Sequence, residues 1–328
     1  MSEKSKLIEK YRDSLEAEEQ PDWVEPMLAT LTHDYFDDPD WIYERKLDGE
    51  RCLAFKTGEQ VALLSRNRKN LNKAYPEIVG ALSRQDGSFV VDGEMVAFDG
   101  DVTSFSRLQQ RMHKEGDVEK TGIAVYYYVF DILHLDGYDT TELELRHRKQ
   151  LLKASLDFND HLRYTRHVNE KGIEYHEEAC RKGWEGVIAK DGASRYIHTR
   201  SSKWLKFKCR SQQEFVVGGY TDPKGEREHF GALLLGYYDD GELMYAGKVG
   251  TGYTDETLES LGKKLRDIKA EDPPYDEEVD EKDVHWVRPE LVCEVKFTEW
   301  TDNDKLRHPS FLGLRRDKDP KEVVKEAP

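Results

Sequence analysis

The sequence predicts a two-domain α+β protein, a mixed α and β unit over residues 1–210 followed by a small β-barrel over 211–328. Three observations predict it. A length of 328 residues exceeds one ordinary core and falls short of three. Up to Lys208, strand runs such as FVVDGEMVAF and AVYYYVFDIL alternate with helix-patterned stretches such as SFSRLQQRMHK and ELRHRKQLLKASL. After Arg210 the texture becomes EFVVGGYT, ALLLGYYDDGELMYAGKVG and ELVCEVKFTEW, strands with Gly and Asp-Gly turns, interrupted by one helix.

Taken in order, the first 20 residues are charged, with Leu7, Tyr11 and Leu15 at four-residue spacing, which suits a short amphipathic helix or a frayed tail. The segment CRSQQ, 209–213, has no apolar content beyond its cysteine and is expected to be a polar hinge between the units. In the helix of the second unit, Leu258, Leu261, Leu265 and Ile268 fall on one face and predict core packing. The run Lys269 to Asp283 holds eight acidic residues, two basic ones and two prolines, and reads as a solvated loop.

Composition bounds the function. With 37% hydrophobic and 35% charged residues and a formal charge of -16, the chain reads as a polar globular protein whose acidity serves solubility. A polyanion would have to be met by locally concentrated Lys and Arg. Cys52, Cys180, Cys209 and Cys293 are far apart and form no CxxC pair, so they are expected to be reduced core residues, neither a zinc cage nor a disulfide framework. No signal-peptide pattern opens the chain and no apolar run approaches the ~18 residues of a membrane span, which places the expected location in a reducing cytoplasm with no membrane contact.

The candidate chemistry begins in YERKLDGERCLAF. In a strand, Glu44 and Lys46 point to one side, two residues before an Asp-Gly turn at Asp48. Alone, such a pair is as well explained by solvation as by catalysis. In KWLKFKC, Trp204, Lys206 and Lys208 share one face opposite Leu205, Phe207 and Cys209, and with Lys203 and Arg210 they make a cationic strip suited to phosphate. Asp92 and Glu94 share a face in VVDGEMV, and Glu185 opens EGVIAK; such hard oxygen donors suit Mg²⁺ completed by phosphate and water.

The order KLDGER, SRN, DGE, YYVFDI, EGVIAK, KWLKFK and, late in the chain, RHPSFLGLRRDK resembles the covalent nucleotidyltransferase superfamily of ATP-dependent DNA ligases and mRNA capping enzymes. PMLATL, KFKCRSQQEFVVGGYTDPKG, YAGKVGTGYT and LRHPSFLGLRRDKDP are similar to the ligase module of bacterial non-homologous end-joining ligases, over residues 22 to 325. The resemblance implies an adenylation domain with ATP-grasp-like antiparallel sheets followed by an OB-fold. It also implies that Lys46 attacks the α-phosphorus of ATP, becomes adenylated, and passes AMP to the 5′-phosphate of a nick before the 3′-hydroxyl displaces it. A free lysine has a pKa of about 10.4, so only about one in a thousand is neutral near pH 7.4, and the site must favour the neutral amine. Lys206, Lys208, Arg51 and a bound metal oppose the ammonium, whereas Glu44 and Asp48 favour it.

The same resemblance puts Glu44 on the adenine amino group, Phe130 against the base, Glu94 with Arg51 on the ribose, and Glu185, with Glu94, on the metal. It puts Lys206 and Lys208 on the α-phosphate, Arg66 on the 5′-phosphate of the nick, and Asp48 near the 3′-hydroxyl or the metal. Lys190 is a phosphate contact or a salt-bridged strand end. Arg307, Arg315, Asp317 and Lys318 match a late element that orients pyrophosphate, with an ordinary basic loop as the alternative. The implied cofactors are ATP and Mg²⁺, with Mn²⁺ as a substitute. The implied partner is nicked duplex DNA; a Ku-like end-binding protein is a candidate partner, and a monomeric stand-alone ligase is expected. The rivals are an RNA ligase, an mRNA guanylyltransferase and a non-catalytic nucleic-acid binder.

Overall fold

The computed structural model describes residues 2–112, 121–159, 161–209, 211–223, 225, 228–301 and 303–326. The chain divides into two compact units, Met1–Cys209 and Arg210–Ala327.

The first unit holds two sheets. The larger runs, in order, Glu16–Ala17, Tyr138–Asp139, Val125–Leu135, Phe89–Asp99, Glu50–Thr57 and Gln60–Ser65. Leu162–Tyr164 adds to it in parallel alongside Val125–Leu135. The smaller sheet runs His167–Asn169, Trp41–Lys46, Gly186–Asp191, Arg200–Lys208 and Leu28–Leu31, antiparallel except for its last pair. Alternation explains the division of faces: Val125, Tyr127 and Val129 enter the main core of the unit, while Tyr126 and Tyr128 stay half-exposed on the other side.

The helices cover that core for readable reasons. Glu3–Tyr11 is capped by the Ser2 hydroxyl and buries Tyr11, whose hydroxyl donates to Gln150 at 2.8 Å, so the amino-terminal segment is docked helix, not a frayed tail. The helix Leu145–Ser155 is less ordinary. It buries Leu145, Leu151 and Leu152 but also Arg148 and Lys149. Arg148 makes two bonds to Asp131, at 2.8 and 2.9 Å, with both side chains wholly excluded from solvent.

The second unit is a five-stranded antiparallel sheet in the order Glu242–Val249, Leu233–Asp239, Ser211–Thr221, Val284–Phe297 and Ser310–Arg315. Its helix, Asp255–Asp267, starts on the Thr254 cap, carries acids in its first turn and bases in its last, and buries Leu258, Leu261 and Leu265.

Three sequence expectations need correction. Cys180 and Cys209 are joined by a disulfide, while Cys52 and Cys293 are free and buried. A separation of 29 residues hid the pair, because only the fold brings the end of the helix Gly172–Arg181 beside the end of the strand Arg200–Lys208. His176 lies with these two sulfurs, its ligand atom and theirs all within 4.8 Å of one another, but their mutual bond leaves no thiolate for a metal. The expected polar hinge is largely strand: Ser211–Thr221 begins inside it, and Gln212 and Gln213 are buried, with the Gln212 amide donating to Glu294 at 3.3 Å. The acidic run is also not merely solvated. Tyr275 is buried, and Asp276 and Glu277 accept the Leu243 and Tyr245 amides at 2.6 and 2.7 Å.

Candidate active site

The smaller sheet lays the candidate residues out in rows. Lys46, Gly186 and Lys208 are neighbours across three strands; the next row is Glu44, Ile188 and Lys206, and the next Ile42, Lys190 and Trp204. Two-residue steps keep these side chains on one face. Gly186 sits between two lysines at φ 151°, and a Cβ there would lie 2.0 Å from the Phe207 carbonyl oxygen. Only glycine permits that approach, which places Glu185 directly before it at the sheet's end.

The Lys46 ammonium is paired with the Glu185 carboxylate; the lysine side chain is 18% exposed and that of Glu185 5%. The Glu185 carbonyl in turn accepts the Cys209 amide at 3.0 Å, so the strand that ends in the disulfide also fixes the carboxylate's backbone. Asp48 lies just beyond the nucleophile strand: its carboxylate accepts the Phe105 amide at 3.1 Å, and its own amide donates to the Thr103 hydroxyl at 3.0 Å. This ties the Asp-Gly turn to the start of the helix Phe105–Met112.

Glu44 is almost fully buried, which excludes the solvated-pair reading for it. Lys149 approaches at 2.5 Å and Lys190 at 2.6 Å. Burial alone would raise the Glu44 carboxyl, but the two ammonium charges and their hydrogen bonds hold it below its ordinary value. Lys190 is therefore a salt-bridged strand residue. Its ammonium also lies 4.2 Å from the Phe130 ring centroid and 4.0 Å from that of Trp204. His167, across the strand from Glu44, is pushed down to about 4 by burial and then by the Lys149 charge.

In the larger sheet Arg51 neighbours Glu94 in backbone register, yet its guanidinium is committed elsewhere. It grips Asp92 through two bonds of 2.5 Å and stacks 4.6 Å from the Phe130 ring. The Tyr196 hydroxyl donates to the same Asp92 at 2.6 Å. Arg51 thus backs the aromatic wall while remaining the cross-strand neighbour of Glu94, its expected partner at the ribose. Glu94 remains half-buried beside Tyr128. Arg66 follows the strand Gln60–Ser65 in the turn whose Ser65 amide donates to the Lys69 carbonyl at 2.9 Å.

The late-motif residues lie in the second unit. Glu214 and Glu294 face each other across two strands, a repulsive arrangement. Arg315 offsets it, bonding Glu294 at 3.0 Å and Asp317 at 2.8 and 2.9 Å, and Lys318 bonds Glu214 at 2.9 Å. Burial alone would lower the Arg315 guanidinium, but the Asp317 and Glu294 charges keep it well above the ordinary value. Arg307 pairs with Glu299.

Nothing local in the sequence marks Lys149 or Tyr196 as a support of this site, and Asp92, expected as a hard oxygen donor, anchors Arg51. A helix residue facing inward and a tyrosine 104 positions from its acceptor leave no local signal.

Comparisons with known proteins agree with the geometry. The family described as "ATP dependent DNA ligase domain" matches residues 26–208, and "ATP dependent DNA ligase C terminal region" matches 226–318. The chain is 36% identical over 320 residues to the multifunctional non-homologous end joining protein LigD of Pseudomonas aeruginosa, covering 94% of this chain and 37% of that protein. It is 33% identical over 302 residues to a DNA ligase of Nitrosopumilus maritimus, covering 83% of this chain and 51% of that one. The chain therefore spans about four-tenths to half the length of these relatives. A solved structure titled mycobacterial DNA ligase D complexed with ATP and MES aligns at a TM-score of 0.67 and 33% identity, over 92% of this chain and 98% of that chain. With the two-sheet unit followed by an OB-fold domain, these matches show that the chain belongs to the ATP-dependent DNA ligase family.

Proposed function

We propose that the protein seals 5′-phosphate/3′-hydroxyl breaks in duplex DNA through a lysyl-adenylate on Lys46. The observation that carries this reading is the row of Lys46, Gly186 and Lys208 with Glu185 on the Lys46 amine. Lys46 Nζ attacks the α-phosphorus of ATP, a P–N bond forms, and pyrophosphate leaves. The DNA 5′-phosphate then takes AMP from Lys46, and the 3′-hydroxyl displaces AMP as the phosphodiester forms. Each step is chiefly positioning and charge neutralisation.

The side chains divide this work. Glu44, with lone pairs left over from Lys149 and Lys190, accepts the adenine amino group. Phe130, held between Arg51 and Lys190, walls one side of the base. Glu94 meets the ribose. Lys206 and Lys208 neutralise the α-phosphate, Arg66 grips the 5′-phosphate, and Asp48 orients the 3′-hydroxyl end. Arg315 and Lys318 orient pyrophosphate during self-adenylation.

The donor set fits Mg²⁺. A divalent cation would be held by Glu185, with Glu94, and would complete its shell from phosphate and water. When bound it supplies further charge neutralisation. Glu185 would hold the cation near Lys46, where the added positive charge would favour the neutral, deprotonated amine that attack requires.

Relatives named for non-homologous end joining favour broken ends as the working substrate; a Ku-like end-binding partner is part of this proposal. The direct test is sealing of a nicked duplex with ATP and Mg²⁺. Wild-type protein should seal and acquire label from α-labelled ATP, and Lys46→Ala should do neither. Labelling that persists in the variant would remove Lys46 from the scheme.

A further inference from the structure

The first unit carries a second polar cleft that this chemistry does not use. It measures about 490 Å³ and is lined by Phe98, Arg107, Tyr126, Tyr128 and Arg163 together with Gly100 and residues 122–124; among the described residues no carboxylate lines it. In a chain of net charge -16 that is a local inversion of charge. Register places it on the nucleotide-facing side of the larger sheet: Tyr128 is the cross-strand partner of Glu94, Tyr126 lies two residues before it, and Phe98 lies four beyond Glu94. Arg163 is the parallel neighbour of Tyr128.

Its polar groups have work left to do. Among the described residues Arg163 bonds only the Leu162 carbonyl, at 3.4 Å, and stacks 5.1 Å from the Tyr126 ring. Neither Arg163 nor Arg107 pairs with a carboxylate among the described residues, whereas Arg51, Arg148 and Arg315 all do. The Tyr126 and Tyr128 hydroxyls likewise have no hydrogen-bond partner among the described residues. Phe98 meets Tyr126 edge-on at 5.8 Å and Tyr128 at a tilt at 6.3 Å, so the rings form one aromatic wall.

Guanidinium pairs recognise phosphate, and aromatic walls stack on bases. The volume falls within the ~300–1,000 Å³ of small-ligand pockets, enough for about one nucleotide. A base inside a duplex has both faces covered by its neighbours, so a concave aromatic wall selects a base that is unpaired. We propose that this cleft holds one unpaired nucleotide of the DNA substrate, its phosphate on Arg107 and Arg163 and its base against Tyr126. The protein would thereby hold an overhang or a frayed terminus while the site at Lys46 acts on the junction. This inference rests on the DNA-sealing reading.

The test uses the full chain as wild type, as Arg107→Ala/Arg163→Ala, and as Tyr126→Leu, which keeps an apolar side chain in place. Four quantities are read: self-adenylation, sealing of a fully paired nick, joining of a junction with one unpaired nucleotide, and binding of fluorescent oligo-dT. Both variants should retain self-adenylation and nick sealing within about twofold, while losing at least about tenfold in oligo-dT affinity and in joining of the unpaired junction. Equal loss on the paired nick and the unpaired junction would assign the cleft to ordinary duplex contact and overturn the proposal. So would no loss on any DNA. Wild-type protein that seals no nick would sink the DNA-ligase reading itself, a distinguishable result.

Discussion

The residue that most constrains the site is Glu44, a carboxylate excluded from water and held by two ammonium groups. Removing one partner leaves an under-compensated buried charge, so Lys149→Met should cost about 3–5 kcal/mol of folding stability in urea titration. A loss below about 1 kcal/mol would contradict the burial argument. The neighbouring His167 adds a pH dependence. Its folded value, about 4, lies below the ordinary 6.5, so protonation favours the unfolded chain. The contribution of His167 is complete above pH 6.5 and declines as pH falls toward 4. Glu44, also held low, adds its own loss only below its ordinary 4.5. Unfolding measured from pH 7.5 down to 4.5 should therefore fall less steeply in His167→Gln than in wild type; parallel curves would exclude His167 as the source. Strand period alone placed Glu44 and Lys46 on one side, but their partners Lys149 and Glu185 come from a helix and a loop more than 100 positions away. No local pattern encodes such pairs.

At the scale of elements, the strand Arg200–Lys208 carries three kinds of information. One face brings Trp204, Lys206 and Lys208 to the site, the other packs Leu205 and Phe207 into an aromatic cluster, and Cys209 at its end bonds Cys180. The alternation was legible because it is local. The disulfide was not, because cysteine spacing carries no distance information until the fold is known. Loop closure over 29 residues gives an expected stabilisation of about 3–4 kcal/mol. Cys180→Ser should lower unfolding stability by that amount under oxidising conditions and leave it unchanged relative to wild type under a dithiol reductant. A variant as stable as oxidised wild type would remove the bond's structural role. Gln212 and Gln213 teach a related point: polar residues read as hinge because burial of an amide depends on a distant acceptor, here Glu294 and the Val324 carbonyl. The helix Leu145–Ser155 misled in the same way, since its inward Arg148 and Lys149 look like a solvated face in the sequence.

For the molecule as a whole, a net charge of -16 opposes DNA at long range, and binding has to rest on local basic groups. If about six phosphates are neutralised, the log–log dependence of DNA affinity on salt has a slope near -5. A flat profile would contradict a backbone-borne interaction. The order of short motifs along the chain made the two-unit architecture and the family legible, since each motif lies in or at the end of a strand. What stayed hidden is the set of buried ion pairs beneath that face. Sealing turns on one amine, that of Lys46, and peptide mass spectrometry after ATP and Mg²⁺ treatment tests this most directly. The predicted result is an AMP adduct on Lys46 that disappears when nicked DNA is added. An adduct on any other side chain, or none while nicks are being sealed, would contradict it.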